Sequence, residues 1–152
     1  MFKSIVVGTG GSDTAARAVQ MAGQLAAASD DAVLHIVSVA KPLSQTVVAL
    51  ADSGPAPSGV ARAELDADTT SALNQVLGHA AESVAGTAPH VEIYPRTGSP
   101  AEVLCELAHQ VRADLIVVGN RGMQGGRRFL GSVPNSVSHH APCSVLIADT
   151  GV

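Results

Sequence analysis

The chain has 152 residues, of which 46% are hydrophobic, 14% charged and 2% aromatic, enough for one domain (1–152) with a sizeable aliphatic core. A net charge of −4 argues against a polyanion-binding protein. One Tyr, two Phe and no Trp leave no stacking platform for single-stranded nucleic acid.

The opening Met1-Phe2-Lys3-Ser4-Ile5-Val6-Val7-Gly8 lacks the basic segment and long apolar run of a signal peptide. It reads as a strand over Lys3 to Gly8. No apolar run reaches the roughly 18–20 residues of a membrane span. The spacing of Ala15, Ala18, Val19, Ala22, Leu25 and Ala26 predicts a helix from Ser12 to about Ser29. Ser12 is placed to cap it, and Asp13 suits its positive end. Ala32 to Val39 is a second strand. Gln45 to Gly59, rich in Pro, Gly, Ser and Ala, reads as a mobile connection. A long helix follows, roughly Val60 to Ala85, and a third strand lies near His90 to Tyr94.

Ser99-Pro100-Ala101-Glu102 has the composition of a helix start. Ser99 can cap, Pro100 suits the first turn, and Glu102 can close a capping box. Asp114 to Gly119 is the fourth strand, Ser132 to His140 a short helix, and Ser144 to Ala148 the last strand. Apolar strands alternating with helices predict an α/β fold, a five-stranded parallel doubly wound sheet with helices on both faces. Such sheets bind ligands beyond the carboxyl ends of the strands, where the strand order switches.

Glycines crowd two strand ends. The first cluster is Gly8-Thr9-Gly10-Gly11-Ser12. The second runs from Gly119 to Ser132, with five glycines and three arginines in fourteen residues. No acidic side chain occurs from Leu115 to Ala148, so this stretch is a positive island. Glycine lets main-chain N–H groups approach an anion closely. Gly131-Ser132 then enters a helix whose first N–H groups lack partners. That combination suits a phosphate, with Ser132 capping the helix or touching the anion. The bland alternative is a pair of ordinary turns.

Other residues favour structural roles. His139 and His140 point about 100° apart on a helix and cannot readily share one metal ion. His35 lies in an apolar strand and reads as a hydrogen-bonded core or pocket residue. Cys105 and Cys143 make neither a CxxC nor a zinc spacing, and read as reduced thiols of a cytoplasmic protein. No nucleophile–base pair or metal set stands out, which favours binding over turnover.

Gly119-x2-Gly122 followed by Gly131-Ser132, then Ala141-Pro142-Cys143 and Val145-Leu146-Ile147, resembles the universal stress protein family. Ile5-Val6-Val7-Gly8-Thr9 and Leu34-His35-Ile36-Val37 are similar to it too, so the likeness spans essentially the whole chain. The resemblance implies a flavodoxin-like or Rossmann-like fold, a homodimer paired through the C-terminal strands, and ATP held by Gly-x2-Gly-x9-Gly-Ser/Thr. Carried onto this chain, it implies that Gly119, Gly122, Gly131 and Ser132 contact phosphates and ribose. Val118, Asn120, Arg121 and Val133 flank them. The turn Gly8-Thr9-Gly10 and the main chain at Ile36 would face adenine and ribose. Mg²⁺ would accompany a bound triphosphate.

Two departures mark this sequence. Eight residues, Met123 to Leu130, separate Gly122 from Gly131, where the pattern has nine. Gly10 also stands where the family often has aspartate. Both loosen the expected choice among ATP, AMP and cyclic AMP. They leave open a stress protein that binds no nucleotide and works through contacts with another protein. Thr9-Gly10-Gly11-Ser12-Asp13-Thr14 also resembles the pyrophosphate loop of ATP pyrophosphatases, an adenylating class that needs a substrate domain for which this chain has little room.

Overall fold

The computed structural model describes residues 1–42, 59–120 and 130–150, with the backbone alone over 59–64. The order is β1 (Ser4–Gly8), α1 (Asp13–Ala26), β2 (Val33–Ala40), α2 (Gly59–Val84), β3 (His90–Thr97), α3 (Pro100–Gln110), β4 (Leu115–Gly119), α4 (Ser132–His140) and β5 (Ser144–Ala148). The five strands form one parallel sheet in the order β3-β2-β1-β4-β5. The expected α/β architecture is therefore present.

The alternation of strand side chains splits the core into two layers. Ile5 and Val7 of β1, Leu34 and Ile36 of β2 and Leu115 and Val117 of β4 pack with Ala18, Val19 and Ala22 of α1 and Leu77 and Val84 of α2. Val6, Val37, Ile116 and Val118 face the other way, onto Leu104, Leu107 and Ala108 of α3 and Val137 of α4. Central strands apolar on both faces are what a sheet covered on both sides requires. Full burial of each Val or Ile contributes about 1.5–3 kcal/mol.

Ser12 caps α1: its backbone is extended and its Oγ accepts from the Ala15 N–H at 3.3 Å. The expected capping box at α3 does not form. Ser99 makes no side-chain cap bond, and Pro100 alone marks the first turn. α4 also differs. Gly131 occupies the cap position and Ser132 is the first helical residue, so Ser132 is not the cap.

β3 runs three residues beyond the predicted Tyr94, through Pro95 to Thr97. Pro95 is tolerated because β3 is an edge strand, where one side of the ladder needs no donor. Val37 and Val39 of β2 register against Tyr94 and Arg96. The predicted connection over Gln45 to Gly59 lies, apart from Gly59 itself, outside the described residues. Among the described residues, no helix is long and apolar enough to cross a membrane.

Candidate functional site at the strand-order switch

β1 is paired with β2 on one side and β4 on the other. The chain leaves β1 toward one face and β4 toward the other, which opens a crevice at their carboxyl ends. A cleft of about 390 Å³ occupies that place, within the range usual for small-molecule sites. Its floor is the two strand ends, Gly8-Thr9-Gly10 and Val118-Gly119. Val37, Val39 and Leu104 make an apolar wall. Gly131, Ser132, Val133 and Pro134 close the opposite side.

Three helices begin at this cleft. Ser12, Thr14 and Ala15 bring the first turn of α1, Pro100 that of α3, and Ser132 to Pro134 that of α4. Each helix start carries partial positive charge and donors without helical partners. At α1 the Ser12 hydroxyl satisfies one donor. At α4 no side chain among the described residues does so, which leaves the N–H groups of its first residues as candidate donors to a ligand. Asn135 N–H closes the first turn on the Gly131 carbonyl at 3.0 Å.

The glycines have distinct reasons to be there. Gly11 has φ +79°, and a Cβ there would meet Val76 Cγ2 of α2 at 3.2 Å. A Cβ on Gly119 would touch the Thr14 carbonyl and Thr150 Cγ2, both at 3.4 Å. A Cβ on Gly10 would meet nothing within 4 Å. The loop after β1 is held by Thr9 N–H donating to the Val37 carbonyl at 2.9 Å and Gly11 N–H to Thr9 Oγ1 at 3.4 Å. A hydroxyl pair, Ser12 Oγ and Thr14 Oγ1 at 3.0 Å, stands at the rim.

Among the described residues, none that lines the cleft is ionisable. His35 is buried on β2, its ring nitrogens 3.3 Å from Ser4 Oγ and 3.0 Å from Tyr94 Oη. Burial holds its imidazole below the usual value, partly opposed by the Glu92 carboxylate 3.4 Å away. Burial, and then the hydrogen bond to Glu92, pushes the Tyr94 hydroxyl up to about 12. Burial also raises the Cys105 and Cys143 thiols, so neither is an activated nucleophile. His139 and His140 are exposed, and His140 Nδ1 lies 2.8 Å from the Ser136 carbonyl. The arrangement at the cleft offers main-chain donors, hydroxyls and an apolar wall: the means to hold an anion joined to a flat apolar group.

A model of the universal stress protein family matches residues 1–149. The chain belongs to that family. The universal stress protein Rv1636 of Mycobacterium tuberculosis is 38% identical over 98% of this chain and 97% of its own. A universal stress protein solved in complex with cAMP is 34% identical, covers 99% of this chain and 98% of its own, and superposes with a TM-score of 0.71. A universal stress protein from Archaeoglobus fulgidus, 20% identical over 97% of this chain and 98% of its own, shares the fold with a TM-score of 0.69.

Of the residues that the universal stress protein resemblance singled out, Gly8, Thr9, Gly10, Val118, Gly119, Gly131, Ser132 and Val133 line the one cleft. Asn120 is buried just beyond β4, its N–H donating to the Ala148 carbonyl at 3.0 Å. Arg121 and Gly122 lie outside the described residues. Ile36 is not among the lining residues; its side chain is fully buried in the first core layer, and β2 reaches the cleft through Val37 and Val39 instead. Sequence reasoning missed those valines, and Leu104 and Pro100 with them. The period-two alternation along β2 carried the signal, but a strand with apolar residues on both faces does not declare which parity faces which side.

Proposed function

We propose that this universal stress protein binds an adenine nucleotide (ATP, AMP or cyclic AMP) in the cleft between β1 and β4, as a cytoplasmic sensor or regulator in stress response. The observation that carries the reading is the convergence of two glycine-bearing strand ends and the uncapped start of α4 on one cleft. In this reading, adenine lies against Val37, Val39 and Leu104. The ribose spans the floor at Gly8 and Gly119, and phosphate oxygens accept from the N–H groups at Ser132 and Val133. The complex of a 34% identical relative with cAMP supports an adenine nucleotide as the ligand class. A bound triphosphate would bring Mg²⁺ on its own oxygens. Asp13, the nearest acidic residue in sequence to the first glycine cluster, is exposed and does not line the cleft.

Ser132→Asp tests the reading. A carboxylate suits the first turn of a helix, so α4 is retained, but it places negative charge where the phosphate is to sit. Calorimetry is expected to show wild-type binding of at least one of ATP, AMP and cyclic AMP. The variant should lose tenfold or more in affinity, equivalent to about 1.4 kcal/mol, while adenosine binding changes little. Equal affinities for the phosphorylated ligands in both proteins would overturn the placement of the phosphate.

A further inference from the structure

Behind the cleft floor lies a buried polar contact made by the last described residue. Thr150 is 1% exposed and does not line the cleft. Its Oγ1 donates to the Asn120 carbonyl at 3.3 Å. Its methyl lies where a Cβ on Gly119 would be 3.4 Å away. The Thr150 carbonyl in turn accepts from Arg17 Nη1 of α1 at 3.5 Å. One rung earlier, Asn120 N–H donates to the Ala148 carbonyl at 3.0 Å. The β4–β5 ladder, whose last register pair is Gly119 with Ala148, is thus extended one residue past β4. Both main-chain polar groups of Asn120 are engaged, the N–H by Ala148 at the end of β5 and the carbonyl by Thr150 just after it.

The consequence for the cleft is direct. Gly119 is floor, and it has no side chain with which to fix itself. A Cβ there would lie 3.4 Å from the Thr14 carbonyl, 3.6 Å from Ala18 Cβ and 3.4 Å from the Thr150 methyl, so α1 and Thr150 closely border this part of the floor. Just beyond it, the Asn120 N–H is held by the Ala148 carbonyl and the Asn120 carbonyl by the Thr150 hydroxyl. A ligand bonded to main chain requires that main chain to be held before the ligand arrives, because ordering it on binding subtracts from affinity.

We infer that Thr150 is a positioning residue for the ligand. It holds the Asn120 carbonyl, one residue beyond the floor, while its own carbonyl is tied to Arg17 of α1, and so presents the β4 end of the cleft in its binding geometry. The inference rests on the nucleotide reading above and adds a residue that touches no ligand.

Thr150→Val keeps the shape and methyl but removes the hydroxyl, while Thr150→Ser keeps the hydroxyl and removes the methyl. Calorimetry with AMP and cyclic AMP, well below the melting temperature, measures affinity, and thermal unfolding measures stability. Thr150→Val is expected to bind about three- to tenfold more weakly, the loss expected for one hydrogen bond. Thr150→Ser should restore wild-type affinity to within twofold, even where its melting temperature stays below that of the wild type. A merely structural role would lower melting temperatures and leave the dissociation constants of the folded proteins unchanged. Wild-type affinity in Thr150→Val, or equal weakening in Thr150→Ser, overturns this inference alone. A wild type that binds none of the adenine nucleotides overturns the reading on which it rests, and the inference with it.

Discussion

His35 shows how one buried side chain ties acid sensitivity to the fold. It is 6% exposed, and burial outweighs the pull of the Glu92 carboxylate to hold its imidazole below the ordinary value. The unfolded chain therefore takes up this proton first as pH falls, near the usual histidine value of about 6.5. Between there and the lower folded value the native state binds fewer protons, and its stability declines as pH drops. His35→Gln removes the titration and retains a polar group near Ser4 and Tyr94. Its melting temperature should fall less steeply than the wild type's between about pH 7 and about pH 5. Parallel slopes would show that His35 is not the group responsible. Neighbouring glycines differ just as sharply. Gly11→Ala meets both a left-handed backbone and Val76, and should cost about 1–2 kcal/mol in denaturant unfolding. Gly10→Ala points into open space and should change stability by less than about 0.5 kcal/mol. Similar losses at both positions would contradict the backbone account.

At the level of helices and strands, local signals were read well where the chemistry is local. Ser12 caps α1 because its hydroxyl reaches an N–H three residues on, a relation the sequence displays in full. Ser99 has the same composition cue, yet makes no cap bond. Gly98 before it has φ +143°, and its N–H still donates to the Ala40 carbonyl of β2 at 2.9 Å, so the chain enters α3 directly from the end of the sheet. The length of β3 was hidden for a related reason. Pro95 reads as a strand breaker until the sheet order makes β3 an edge, and sheet order is a non-local fact. Six of the eight lining residues singled out in advance are glycines or stand beside one within the two clusters, where motif and backbone geometry coincide. The apolar wall was illegible because β2 is hydrophobic on both faces, and Leu104 joins the site only through the packing of α3 on β1 and β2.

For the whole molecule, the second sheet edge raises the question of assembly. β5 is Ser144-Val145-Leu146-Ile147-Ala148, with neither charge nor proline, and its three central residues are half-exposed. β3 at the opposite edge carries Glu92, Pro95 and Arg96, features that discourage pairing. We propose that two copies join through β5. Light scattering is then expected to give twice 15.3 kDa. Val145→Lys should return the protein to 15.3 kDa with its circular dichroism unchanged, since a lysine stem can lie on apolar surface while its ammonium stays in water. A wild type of monomer mass at micromolar concentration would rule out this assembly.

The middle strand of the sheet is the first to be made. Ile5, Val6 and Val7 acquire β2 early but must wait for Leu115, Ile116 and Val117 before their other flank is closed. Pairing of segments so distant along the chain is the slow kind. The groove that opens where these two strands meet therefore does not exist on the nascent polypeptide until β4 has been made. On the nucleotide reading proposed above, a copy that lacks β4 has no groove to fill, so occupancy would report that the sheet has closed.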